Sequence, residues 1–288
     1  MTAEERLVIF DCAGNRLIGV LHLPDNPSPV GILVIGRWSN DRLSVHFSRA
    51  ATARGIAVFR FDFRGRGDCE GPLVAVEETG EDLRSAVGAF LEQAPAVSKI
   101  VIFGISEAAA ASLMFASGDS RITGLILVNP WIRMEQAVAK EHIKQNLSRV
   151  LDPKFWDRIR KSEAGFLGAA RSFLVLTRSW IAASTSRPEP SLKDKLMDAL
   201  GVFPGPLQIV LSGGDPATAI FQEAAKHRLD RLKREGRLTV MTEPDANHVF
   251  SRSDWRAHLI EWSLDWTKRI ATGAPVLPPA GPSPNSSP

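Results

Sequence analysis

Three residues of this 288-residue chain could together activate a hydroxyl group: Ser106, Asp215 and His248. A serine hydroxyl is a poor nucleophile until a base takes its proton and a third group orients that base. Each residue follows an apolar run that reads as a strand. "KIVIFG" precedes Ser106, "LQIVLSGG" precedes Asp215, and "LTVMTEPDAN" leads to His248. Strand ends of a parallel sheet share one edge, so the three side chains could converge there. The chain order of serine, acid and histidine fits a known arrangement for acyl chemistry.

Plainer roles exist for each residue. A serine after a strand, or an aspartate before "PATA", makes a good helix N-cap. A loop histidine is commonly just solvated. Asp245, three residues before His248, is a rival orienting acid. Asp215 is preferred because it has its own strand end. The corner at "GISEAA" has Gly104 before the serine, but Ala108 where a second glycine often sits. Alanine adds one methyl group and still permits close packing of strand and helix. Acyl chemistry also needs donors for a developing oxyanion. The expected ones are the backbone N–H of Glu107 and that of Arg37 or Trp38 in "VIGRWSN". Trp38 also reads as a packing residue.

The surrounding pattern predicts an α/β fold. Short strands "RLVIF", "RLIGVLHLP" and "GILVIG" open the chain, with turn residues in "DCAGN" and "DNPSPV". The helix "SVHFSRAATARG" follows and ends at Gly55. The strand "IAVFRFDF" leads into the glycine-rich loop "RGRGDCEG". Helix and strand then alternate, starting with the helix "VEETGEDLRSAVGAFLEQAP". Nearly continuous apolar strands indicate a parallel sheet covered on both faces.

Residues 1–131 and 204–270 are read as this core, and 132–203 as a helical insertion after the sixth strand. Such an insertion lies over the crevice where these sheets bind ligands, which predicts a lid. Trp131, Trp156 and Trp180 would face substrate from that side. Between Lys140 and Lys195 there are 12 Lys or Arg and 6 Asp or Glu, so the basic excess belongs to this segment. It could attract an anionic carrier or a membrane surface, and equally could be a solvated basic face. Residues 271–288 hold six prolines and are read as a disordered tail.

Composition narrows the classes further. A chain 44% hydrophobic and 23% charged is globular. No apolar run reaches the roughly 20 residues that span a bilayer. The acidic start "MTAEERLVIF" does not resemble a secretory signal. Cys12 and Cys69 have no metal-binding spacing and fit a reducing compartment. The expectation is a cytoplasmic protein with neither metal nor organic cofactor. No recognition motif points to nucleic acid.

On these residues the chain resembles the α/β-hydrolase superfamily over roughly residues 5–270. The features are "FDFRGRGDCEG", "GISEAA", "LSGGD" and "DANHVF". More narrowly, it is similar to the exosortase A system-associated hydrolases. That similarity rests on "GISEAAAASLMFA", "LILVNPW" before a basic insertion, "LSGGDPATAIF" and "DANHVFSRSDWR". The resemblance implies that relatives often carry Cys at the position of Ser106, and "GRWSNDRL" departs from the glycine-rich loop expected there. The resemblance implies a role beside bacterial exopolysaccharide and protein-sorting systems. The combined expectation is a serine hydrolase acting on a small-molecule ester or thioester. Acyl transfer to a non-water acceptor and a non-catalytic binding module are the alternatives.

Overall fold

A computed structural model describes residues 3–36, 41–132 and 190–276 of the chain. The chain divides into two compact units, Met1–Ile132 with Lys195–Pro288, and Arg133–Asp194. The first unit carries the sheet and the candidate site. Most of the region expected to form a lid, and residues 277–288 of the expected tail, lie outside the described residues.

Strands β1 (Ala3–Cys12) and β2 (Asn15–Pro24) form a hairpin. Its two-residue turn, Ala13-Gly14, has φ of 52° and 76°. Two positive values match the turn type whose twist suits a tight hairpin. Strands β3 (Val30–Ile35), β4 (Val58–Phe61), β5 (Lys99–Ile105), β6 (Ile122–Val128), β7 (Leu207–Ser212) and β8 (Leu238–Glu243) complete the sheet. Its order is β1-β2-β4-β3-β5-β6-β7-β8. From β4 onward along that order, neighbours pair in parallel. The expected α/β-hydrolase architecture, a mostly parallel sheet flanked by helices, is therefore present.

Both sheet faces are covered. Helices α2 (Gly80–Gln93), α3 (Glu107–Ala116), α4 (Leu192–Val202) and α5 (Pro216–Arg234) contribute to one core. Helices α1 (Arg42–Ala53) and α6 (Ser253–Thr272) contribute to the other. This is why β3, "VGILVI", is apolar throughout rather than alternating. Phe47 of α1 stacks on Phe103 of β5 with ring centroids 4.1 Å apart. Burying each such ring stabilises the fold by roughly 1.5–3 kcal/mol.

Three local features differ from the sequence reading. The run expected as one helix from "VEE" is a 3₁₀ turn, Val76–Glu78, followed by α2. Thr79 sits between them and its hydroxyl donates to the Val76 carbonyl, which favours a turn over a continuing helix. Leu196, Ala199, Leu200 and Phe203 pack into the core of the first unit, although they lie within the stretch assigned to the insertion. Order also continues past residue 270, because Val276 is buried against the α6 side of the sheet.

Two buried charged groups brace the frame. Asp82 of α2 accepts from the Arg64 side chain at 2.6 Å and from its backbone N–H at 2.8 Å. This pins the glycine-rich loop after β4. On the other face, the Arg60 Nε–H donates to His22 Nε2 at 2.9 Å. His22 is 1% exposed, and its Nδ1 lies 3.5 Å from a Glu5 carboxylate oxygen. Burial first, and then the Arg60 charge, push the His22 pKa down to about 4, while Glu5 opposes the shift.

Candidate active site

Ser106 stands between β5 and α3 with φ 57° and ψ −116°. A residue with a side chain rarely adopts that conformation, and holding it there costs of order 1–3 kcal/mol. The surroundings enforce it. The Ser106 N–H donates to the Val128 carbonyl at 2.8 Å, and its carbonyl accepts from the Ala109 N–H at 3.1 Å. Space is tight at the corner. A Cβ on Gly104 would lie 2.8 Å from both the Ala108 carbonyl oxygen and the Ser112 hydroxyl. Ala108 is buried in the core. The corner therefore forms with alanine where a second glycine often sits.

Glu107 opens α3, so its N–H has no carbonyl partner within the helix. It remains suited to meet an oxyanion. Its carboxylate accepts from the Arg66 guanidinium at 3.1 Å, which ties the glycine-rich loop to the residue after the serine. Arg37 and Trp38, the other oxyanion candidates, lie outside the described residues. So do Trp156 and Trp180. Trp131 is half-buried, and its backbone N–H donates to the Ser106 carbonyl at 3.4 Å.

Asp215 and His248 meet. One Asp215 carboxylate oxygen lies 2.6 Å from His248 Nδ1. The other accepts from the Ala217 N–H at 3.0 Å and caps α5. The carboxylate hydrogen-bonded to His248 is thus that of Asp215 and not of Asp245, which is exposed. The Asp215 side chain is 12% exposed and that of His248 40%, so the acid is covered while the imidazole is open to an incoming molecule. Among the described residues, Ser106 and His248 share no hydrogen bond.

Two glycines let these loops approach. A Cβ on Gly213 would fall 2.2 Å from the Pro244 carbonyl oxygen, and one on Gly214 would fall 2.8 Å from that of Ala246. Their N–H groups donate to Glu243 and Ala246 at 2.9 and 3.0 Å. The string "LSGGD" contains the signal, since paired glycines mark close backbone contact. Sequence alone did not say what they contact. Asn129, also not singled out from sequence, bridges β7 and the His248 loop with its side-chain amide.

Among the described residues, no cluster of three or more His, Cys, Asp or Glu side chains could hold a metal ion. The site's chemical groups are a hydroxyl, a carboxylate and an imidazole in the segments that follow β5, β7 and β8.

The model of the alpha/beta hydrolase family matches residues 32–258. The chain belongs to that family. No curated protein matches it. Solved structures share the fold at low identity. The serine hydrolase XC6422 from Xanthomonas campestris, described as lacking a lid, is 19% identical with a TM-score of 0.57, covering 92% of this chain and 96% of that one. The esterase domain of a Rhodothermus marinus protein is 22% identical with a TM-score of 0.56, covering 92% and 99%. The Pyrococcus furiosus esterase Pf2001 is 18% identical with a TM-score of 0.63, covering 93% and 92%. The chain is thus a hydrolase-fold protein with esterases and serine hydrolases as structural neighbours.

Proposed function

We propose that this alpha/beta hydrolase cleaves an ester or thioester through Ser106, His248 and Asp215. The observation that carries the reading is the 2.6 Å contact between Asp215 and His248 Nδ1 at the strand edge where Ser106 is held at positive φ. Asp215 keeps the Nδ1–H tautomer, so Nε2 has a free lone pair. His248 then takes the Ser106 proton as Oγ attacks the acyl carbon. The Glu107 N–H supports the tetrahedral oxyanion. His248 returns the proton to the departing alcohol or thiol, leaving an acyl-serine. A water attacks next, with His248 again acting as base, and releases the acid. Serine and histidine hydrogen bonds are often long before substrate arrives and tighten in the complex.

The segments shared with the exosortase A system-associated hydrolases support a role beside bacterial exopolysaccharide export, with an acyl ester or thioester as substrate. The basic segment around Lys140–Lys195 supports an anionic carrier or membrane surface as the donor's location. Among the described residues no helix is long and apolar enough to cross a membrane. A cytoplasmic site of action is part of the same proposal.

The test is labelling with a fluorophosphonate probe, followed by mass spectrometry. The wild-type protein should carry the adduct on Ser106, and Ser106→Ala and His248→Ala should carry none. A folded wild-type protein that takes no label would point to a binding module on this fold.

A further inference from the structure

We infer that Asn129 is a positioning residue that sets the main chain of His248 relative to Ser106. This rests on the catalytic reading above. Asn129 directly follows β6, is 3% exposed, and has φ of 44°. Asparagine tolerates that left-handed conformation better than most residues. Its backbone N–H donates to the Val210 carbonyl at 2.9 Å. Its side-chain oxygen accepts from the Ser212 N–H at 2.8 Å, and its side-chain nitrogen donates to the His248 carbonyl at 2.9 Å.

Of the three candidate catalytic residues, these bonds meet His248 directly, at its backbone carbonyl, and reach the Asp215 loop through Ser212. Ladder pairing of β6 with β7 ends at Val128 and Val210. Beyond that point the Asn129 amide takes over, satisfying the Ser212 N–H three residues before Asp215. The other end of the same amide grips His248 itself. On either side of Asn129, the Val128 carbonyl accepts from the Ser106 N–H and the Trp131 N–H donates to the Ser106 carbonyl. Residues 128–131 therefore hold both main-chain groups of the serine while one side chain holds the histidine. An amide suits the task because it offers a donor and an acceptor from one short planar group. Aspartate lacks the donor once ionised, and serine lacks the reach to both partners.

A misplacement near 1 Å at a reacting group costs on the order of 100-fold in rate. The experiment compares wild type with Asn129→Gly and Asn129→Ala, measuring fluorophosphonate kinact and KI together with Tm. Asn129→Gly relieves the positive φ and so protects the fold. Gln208→Ala, a buried change on β7, the strand whose end Asn129 contacts, and outside the catalytic set, serves as the stability control. The expected result is a roughly 10- to 100-fold fall in kinact with KI unchanged in both Asn129 variants. Gln208→Ala should lower Tm and leave kinact alone. Folded Asn129 variants with wild-type kinact overturn this inference while leaving the catalytic reading intact. So does a kinact loss in Gln208→Ala matching theirs, because it would reduce the effect to general destabilisation. A wild type that takes no label overturns the catalytic reading and this inference with it.

Discussion

Asp215 is bonded to both His248 and Ala217: one carboxylate oxygen lies 2.6 Å from the imidazole Nδ1 and the other 3.0 Å from the Ala217 N–H. The two tasks can be separated by mutation. Asparagine caps a helix about as well as aspartate, but its amide cannot hold the histidine with a negative charge. Asp215→Asn should leave Tm nearly unchanged while esterase activity falls by about 10³- to 10⁴-fold. Asp215→Ala should lose activity and also about 1 kcal/mol of stability. Thermal melts alongside ester hydrolysis separate the outcomes. Asp245→Ala should match wild type in both.

Strain at Ser106 gives a prediction of opposite sign. Glycine occupies positive φ without steric cost. Ser106→Gly should abolish probe labelling and raise stability, by up to about 1–3 kcal/mol less the entropy glycine regains on unfolding. Urea denaturation would record this as a higher midpoint. A lower midpoint would mean that the serine side chain contributes more than its backbone costs.

The contact between the Asp215 and His248 loops is open to a direct test. Gly213→Ala would place a methyl group 2.2 Å from the Pro244 carbonyl oxygen, so one loop must move. Activity should fall by roughly 10-fold or more, and Tm should drop. The same change at Gly14, whose Cβ would meet nothing within 4 Å, should cost only the strain of its positive φ and leave activity intact. Hydrolysis rates of the two variants form the comparison.

Acid should destabilise the protein through His22. Its folded pKa is about 4, below the ordinary value of 6.5. Above pH 6.5 the group is neutral in both states and contributes no penalty. Between about 6.5 and 4 the unfolded chain binds a proton that the folded chain refuses, so stability falls with pH. Below 4 the loss is complete, on the order of 3 kcal/mol. His22→Gln keeps an acceptor for Arg60 and cannot titrate. Its urea midpoint should therefore vary less than that of wild type across this window.

The sheet was legible because fully buried parallel strands leave continuous apolar runs. The order of Ser106, Asp215 and His248 was legible because the first two follow such runs and the third follows the partly buried edge strand β8. What lay hidden depends on contacts between distant segments. Asn129 sits in "LVNPW" as an ordinary polar residue after a strand, and only the meeting of β7 with the His248 loop gives its amide two partners. Thr79 interrupts a helical pattern through a local hydroxyl bond that periodicity does not register. The charges around Lys193 and Lys195 suggested an exposed insertion, whereas Leu196 and Leu200 turn that stretch into core. Arg37, Trp38, Trp156 and Trp180 fall outside the described residues.

The double duty of Asp215 bears on how descendants of this protein could change. A lineage that abandoned catalysis would still need the helix cap, so selection for folding alone would retain aspartate or another capping residue such as asparagine at position 215. The serine has no such protection, since its backbone is a burden that glycine would lift. Inactive relatives should therefore keep a capping side chain at position 215 and shed the nucleophile first. On the proposed mechanism, the residue at position 106 is then the more informative marker of hydrolase activity.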